Sequence, residues 1–186
     1  MVLQDHSEQM LDYWRSHYFG MYRGIVTDNN DPQSKGRLKV KVPSVSGDVD
    51  AWAMPCVPYA GDGVGFYSLP ENGTGVWVAF EQGDPSFPVW MGCFWGDGQL
   101  PDESNPAIKI WKTQSLTIRI DDDADELIIE ATSGSKLTIS ADVKSESGGA
   151  SHTVGSSGVT SESGALGKIE VTTTSVKVNG GSLEVT

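Results

Sequence analysis

The last eighteen residues of this chain repeat one step three times: Ile169 and Val171, then Val176 and Val178, then Leu183 and Val185, each pair seven residues after the one before. Thr172-Thr173-Thr174-Ser175 and Asn179-Gly180-Gly181-Ser182 lie between them, so each unit is a three-residue alternating strand followed by a four-residue polar turn. Alternation sends both aliphatic side chains of a unit to one side. Such a strand is too short to stand alone, and a repeat that cannot bury its own face must stack on its neighbours. The step therefore predicts repetitive β-structure.

The rest of the region after Trp111 has the same character. Leu116/Ile118/Ile120, Leu127/Ile129 and Leu137/Ile139 come first, interrupted by Asp121-Asp122-Asp123 and then by a Ser/Gly-rich stretch over residues 145–167. That stretch reads either as a flexible insertion or as β-structure of small side chains that orders in an oligomer. Five of the six tryptophans and all five phenylalanines precede residue 96. Two architectures therefore share one chain.

Seventy-six residues, 111–186, carry eighteen Leu, Ile and Val side chains. Ordering the backbone costs about 1 kcal/mol per residue or more. A single narrow ribbon buries too little of each aliphatic to offset that. Several identical chains wrapped around one axis turn every inward aliphatic toward its symmetry mates and pair strand edges between chains. Three chains make the smallest closed prism. Its expected core is Leu116, Ile118, Ile120, Leu127, Ile129, Leu137, Ile139, Ile169, Val171, Val176, Val178, Leu183 and Val185. At about 4.8 Å per strand, roughly ten passes give a needle on the order of 50 Å long.

Ahead of the tail the pattern changes twice. Residues 5–19 place Met10, Leu11, Trp14 and Tyr18 at helical spacing, with Asp5 or Ser7 as a candidate N-cap, so a short amphipathic helix is expected. Its apolar stripe packs either on its own domain or on a partner subunit. From Met21 to Trp95 short strands take over: Tyr22 to Val26, the alternating Gly36 to Pro43, Trp52 to Val57, Gly75 to Glu81 and Pro88 to Phe94, with turns at Asn72-Gly73 and Gly83-Asp84-Pro85. Leu38, Val40 and Val42 alternate with Arg37, Lys39 and Lys41. Four or five short strands in this length suit a small Greek-key barrel such as an OB-fold. Its expected core is Ile25, Leu38, Val40, Val42, Val76, Val78 and Phe80. The expected division is a helical segment over 1–20, a barrel over 21–95, a connector over 96–110 and the β tail over 111–186.

A formal charge of -12 excludes non-specific nucleic-acid binding, which needs clustered Lys and Arg. The N-terminal stretch lacks the charged and apolar regions of a signal peptide, and no apolar run reaches the roughly 18 residues of a spanning helix. Assembly in the cytoplasm is the expectation. Cys56 and Cys93 sit in apolar strand-like settings and read as buried free thiols, with a disulfide or reactive pair as the alternative.

Several pieces together resemble a known family. Gly24-Ile25-Val26, Asp31-Pro32 and Lys35 to Pro43 come first; then Trp52-Ala53, Pro55, Ala60-Gly61, Leu69-Pro70, Val78-Ala79-Phe80-Glu81, Gly83-Asp84-Pro85 and Pro88-Val89; then Lys112-Thr113, Ser115 to Ile118, Ile120-Asp121-Asp122, Leu127 to Ile129 and Gly134 to Ile139. In this order they resemble the central spike proteins of contractile injection systems, the phage baseplate assembly protein V and VgrG family. The resemblance implies an all-β chain: an OB-fold barrel followed by a trimeric intertwined β-helix or prism, behind the short N-terminal helix. It also implies a baseplate hub protein as partner, a PAAR-like tip protein at the C-terminal end, possible effector cargo and transient contact with a target membrane. Such a protein ends in a phage tail or an extracellular or anchored injection particle. This sequence has no room for a hub region or lysozyme domain beside its barrel and connector.

No catalytic, cofactor or metal residue is expected. Asp121-Asp122-Asp123 with Asp125 and Glu126 offers oxygen ligands but lacks EF-hand spacing, so it reads as a solvated turn. His6, His17 and His152 show no metal-ligand spacing, although a threefold axis would bring three copies of His152 together. Glu71, Glu81 and Asp84 sit at turns and strand ends, and no serine occupies a nucleophile elbow. Trp52, Tyr59, Phe66, Tyr67, Trp77, Trp90 and Trp95 leave open an oligonucleotide- or oligosaccharide-binding OB module with a disordered acidic tail. The cations available to it are few: Arg23, Lys35, Arg37, Lys39 and Lys41.

Overall fold

The computed structural model describes residues 2–185; Met1 and Thr186 lie outside the described residues. The chain divides into two compact units, residues 1–99 and 100–186.

The first unit opens with helix α1, Val2–Ser16. Asp5 and Ser7 lie within it rather than at its cap, and Tyr18 lies beyond its end. Every side chain described from His6 to Ser16 is exposed, including Met10, Leu11 and Trp14. The segment after the helix is what the barrel holds. Tyr18 N–H donates to the Gly83 carbonyl at 2.7 Å, and the Tyr18 ring packs against Tyr22 and Phe80.

Strands β1 (Tyr22–Asp28), β2 (Leu38–Lys41), β3 (Asp50–Pro55), β6 (Gly75–Phe80) and β7 (Pro88–Phe94) close into a barrel in the order β1-β2-β3-β7-β6. A one-turn helix α2 (Pro43–Ser46) leads into β3, and two two-residue strands, β4 (Ala60–Gly61) and β5 (Val64–Gly65), form a separate hairpin. β3 pairs with β7 in parallel, and the other barrel pairs are antiparallel. The buried core is Val26, Leu38, Val40, Val42, Ala53, Val76, Val78 and Trp90, with Phe80 partly buried against it.

Two expectations fail here. Ile25 is 47% exposed, and Val26 is buried in its place. β1 turns Tyr22, Gly24 and Val26 inward, and the glycine hides that phase in the sequence. A Cβ on Gly24 would meet a Val78 methyl at 3.0 Å and the Lys41 carbonyl at 3.1 Å, so this inward position has no room for a side chain. Cys56 and Cys93 are free but exposed rather than buried. β7 carries one extra residue, Met91, between Trp90 opposite Val78 and Gly92 opposite Trp77; it breaks the alternation and sets Cys93 opposite Val76 near the end of the strand, where Cys93 stays exposed.

The second unit is an antiparallel meander in which ten strands pair in chain order. They are β8 (Ile108–Lys112), β9 (Leu116–Asp121), β10 (Glu126–Ala131), β11 (Lys136–Ile139), β12 (Val143–Ser147), β13 (Ala150–Gly155), β14 (Gly158–Ser163), β15 (Gly167–Val171), β16 (Val176–Val178) and β17 (Leu183–Val185). β8 takes up residues 108–110 of the expected connector. The Ser/Gly-rich stretch is built into β12, β13 and β14 rather than looped out. Its paired glycines, Gly148 and Gly149, both hold positive φ in the β12–β13 turn, the conformation that tight hairpins require.

Candidate functional site

Directly opposed residues of antiparallel strands share a face, so the pairing registers define the two faces of the meander. On one face, Ile120, Leu127, Ile139, Val143, Val154, Val159, Val171, Val176 and Val185 follow one another across nine strands. Beside them runs a second line: Trp111, Ile118, Ile129, Leu137, Ser145, His152, Ser161, Ile169, Val178 and Leu183. All thirteen expected needle-core residues lie on this face.

The other face carries most of the charges; Lys109, opposite Ile120, lies on the aliphatic one. Lys144 pairs with Glu146 at 2.7 Å, Lys168 with Glu162 at 3.2 Å and Glu170 at 2.8 Å, and Arg119 with Asp121 at 3.1 Å. Along β12, β13 and β15 exposure runs opposite to that of a protein core. In β12, Lys144 and Glu146 are partly covered while Val143 is exposed; in β15, Lys168 and Glu170 are partly covered while Ile169 and Val171 are exposed. Leu183 and Val185 are each 61% exposed. Among the described residues of this unit, none is buried.

The acidic run is a closed turn. Asp121 Oδ1 accepts from the N–H groups of Asp123 and Ala124, both at 3.1 Å. The Ala124 N–H, with Arg119 assisting, holds the Asp121 carboxyl below its ordinary range. Lys109 pairs with Asp122, and Arg119 also reaches Asp102 at 3.2 Å. No group of three or more His, Cys, Asp or Glu that would hold a metal ion occurs among the described residues. His17 stacks on Tyr13, and His152 Nδ1 lies 2.8 Å from the Ser161 hydroxyl. Asp84 accepts from the Ser86 N–H at 2.8 Å, which lowers its carboxyl. Glu71 and Glu81 sit in turns closed by Thr74 and Asp84 N–H groups.

On the barrel, Asp31 organises the loop between β1 and β2. Its carboxylate accepts from the backbone N–H groups of Gln33, Lys35 and Arg37 and from the Arg37 guanidinium at 2.7 Å. The side chain is 3% exposed. Arg37 is the main reason the Asp31 carboxyl falls far below the usual carboxylate range, with the three N–H donors adding to it against desolvation. The same guanidinium lies 5.3 Å from the Trp52 ring centre. The sequence shows Asp31-Pro32 only as one piece of the family resemblance; the signal for its role was an arginine six residues after the aspartate.

This loop forms one wall of a cavity of about 440 Å³. Pro55, Tyr59, Phe66, Tyr67, Leu69 and Trp90 line the rest, and Trp90 Nε1–H donates to the Gly36 carbonyl at 3.3 Å. Among the described residues, Lys35 is its only charged lining residue. Trp77 is elsewhere, with Phe94, and Arg23 lies over both rings at 5.5 and 5.1 Å. The aromatics of the barrel therefore do not form one stacking platform.

Residues 22–95, the whole of this barrel, match the family model of the type VI secretion system/phage-baseplate injector OB domain. The barrel is similar to that domain over this stretch. The resemblance to injector spike proteins thus holds over the region where the closed five-stranded barrel is seen. The injector family is that of a structural baseplate and spike domain, and it connects this chain with baseplate components of a phage tail or injection particle. No curated protein matches the chain.

Proposed function

We propose that three copies of this chain form a non-enzymatic spike, in which the injector OB barrels mount on a baseplate hub and the ten-stranded tails wrap into a rigid needle. One observation carries the reading: the ten hydrogen-bonded strands hold no buried side chain among the described residues, and in β12, β13 and β15 the aliphatic face is more exposed than the polar one. Burial contributes roughly 25 cal/mol per Å² of apolar surface, and a second and third copy supply that burial with a surface that is by construction complementary. Stiffness is the mechanism. A needle whose strands are closed between chains has no free edge to fray, and it delivers the force of sheath contraction to a small area of the target envelope. A PAAR-like tip and any effector ride at its C-terminal end. Assembly takes place in the cytoplasm before the particle is complete.

Light scattering on the full chain and on a version stopped after Pro106 tests this. The full chain is expected at three times 19.9 kDa, with the shortened one at the mass of one chain. A full chain that stays monomeric contradicts the proposal. The barrel cavity favours a second reading, in which an oligosaccharide or oligonucleotide stacks on Tyr59, Phe66 and Tyr67. Micromolar binding by a monomer would select it. Its disordered tail is not what the structure contains.

A further inference from the structure

The two aliphatic lines on the tail differ in one respect. The line through Val143, Val154, Val159, Val171, Val176 and Val185 is valine from β12 onward. Shifted along itself, it presents the same surface. The neighbouring line is broken once, by Ser145, His152 and Ser161 on three successive strands between Leu137 and Ile169. His152 and Ser161 are tied side chain to side chain at 2.8 Å. The charged groups of those strands, Lys144, Glu146 and Glu162, lie on the opposite face. Ser147 and Ser163 flank the row on the same face, opposite Ala150, so β12 to β14 carry one polar patch in a largely aliphatic surface.

Resting on the trimeric reading, we propose that the Ser145–His152–Ser161 row is the register key of the needle, the feature that makes three copies align strand for strand. Valine against valine is equally satisfied at several offsets, so the aliphatic lines give adhesion without alignment. A polar row buried at the centre of an apolar interface behaves differently. In register, three copies meet hydroxyl and imidazole with hydroxyl and imidazole, and each polar atom finds a partner. Out of register, His152 of one copy lies against Leu137, Ile169 or the valines of another; it keeps Ser161 of its own chain, but its second ring nitrogen and the hydroxyls lose their partners in the other copies. The row lowers the stability of the needle relative to a fully aliphatic one and selects one alignment in return, as a buried polar residue does in a coiled coil.

The test is assembly of the full-length protein read by native mass spectrometry. Wild type gives one three-chain species. The triple variant Ser145→Val/His152→Val/Ser161→Val is expected to associate at least as strongly but to spread into staggered species of more than three chains; His152→Asn, which keeps a polar side chain, is expected to restore the single species. A second experiment does not depend on the triple variant behaving well. A chain with His152→Val and Ile169→His moves the key by two strands; co-expressed with wild type, it should be depleted from mixed trimers by about tenfold, the effect of ~1.4 kcal/mol, whereas His152→Asn should mix statistically. A uniform triple-variant trimer, or statistical mixing of the moved-key chain, overturns the register key and leaves the trimer standing. A monomeric wild type overturns the trimer itself.

Discussion

The Asp31 carboxylate shows how much a single side chain organises in the barrel. It replaces the hydrogen bonds that three loop N–H groups would otherwise lose and holds Arg37 against Trp52. Its folded pKa is depressed, chiefly by Arg37. The stability it adds is present above the unfolded carboxylate value of about 3.9 and is lost as pH falls below it. Asp31→Asn is therefore expected to melt at a lower temperature than wild type at pH 7, with the gap narrowing below about pH 4; circular dichroism melts at the two pH values decide it, and an equal gap at both contradicts the account. Gly24→Ala should cost about 1–3 kcal/mol, because the new methyl meets Val78 and the Lys41 carbonyl; denaturant unfolding measures it. Cys93, although exposed, has its thiol pushed up by partial burial of the sulfur, and it is expected to react slowly with thiol reagents at neutral pH. At this scale the sequence was legible where alternation was strict. Leu38, Val40 and Val42 are buried as the Lys39/Lys41 alternation required. It was illegible at β1, where a glycine occupies an inward position, and at β7, where a bulge interrupts the alternation between Trp90 and Cys93.

Among the elements, the helix and the meander raise the same question in different degree. α1 exposes Met10, Leu11 and Trp14, and only the segment after it is tied to the barrel, through Tyr18 and Gly83. Removing residues 2–16 should leave the melting temperature of the barrel within about 2–4 °C, the effect of a surface change of about 0.5 kcal/mol; a larger drop would mean that the helix packs on its own barrel. In the tail, the seven-residue step was visible because three-residue segments of β15, β16 and β17 pair directly, Ile169 to Val171 with Val176 to Val178 and those with Leu183 to Val185, across turns of equal length. Residues 145–167 were ambiguous for a physical reason. Ser, Gly and Thr fill β12 to β14 with side chains that form a ladder through backbone hydrogen bonds and give no aliphatic signal. The cavity on the barrel was legible only as a set of aromatics, because the loop over residues 56–69 that gathers Tyr59, Phe66 and Tyr67 has no periodicity.

Taken whole, the molecule joins a barrel with a dry core of its own to a ten-stranded unit that has none. The barrel fits the injector OB family over residues 22–95, and its stability is a property of one chain. If the tail obtains its core between chains, its stability is a property of concentration. Differential scanning calorimetry of the full chain across a hundredfold range of concentration measures this directly. The account predicts a tail transition that rises with concentration while the barrel transition stays fixed. A cooperative tail transition at the same temperature in every sample would contradict it.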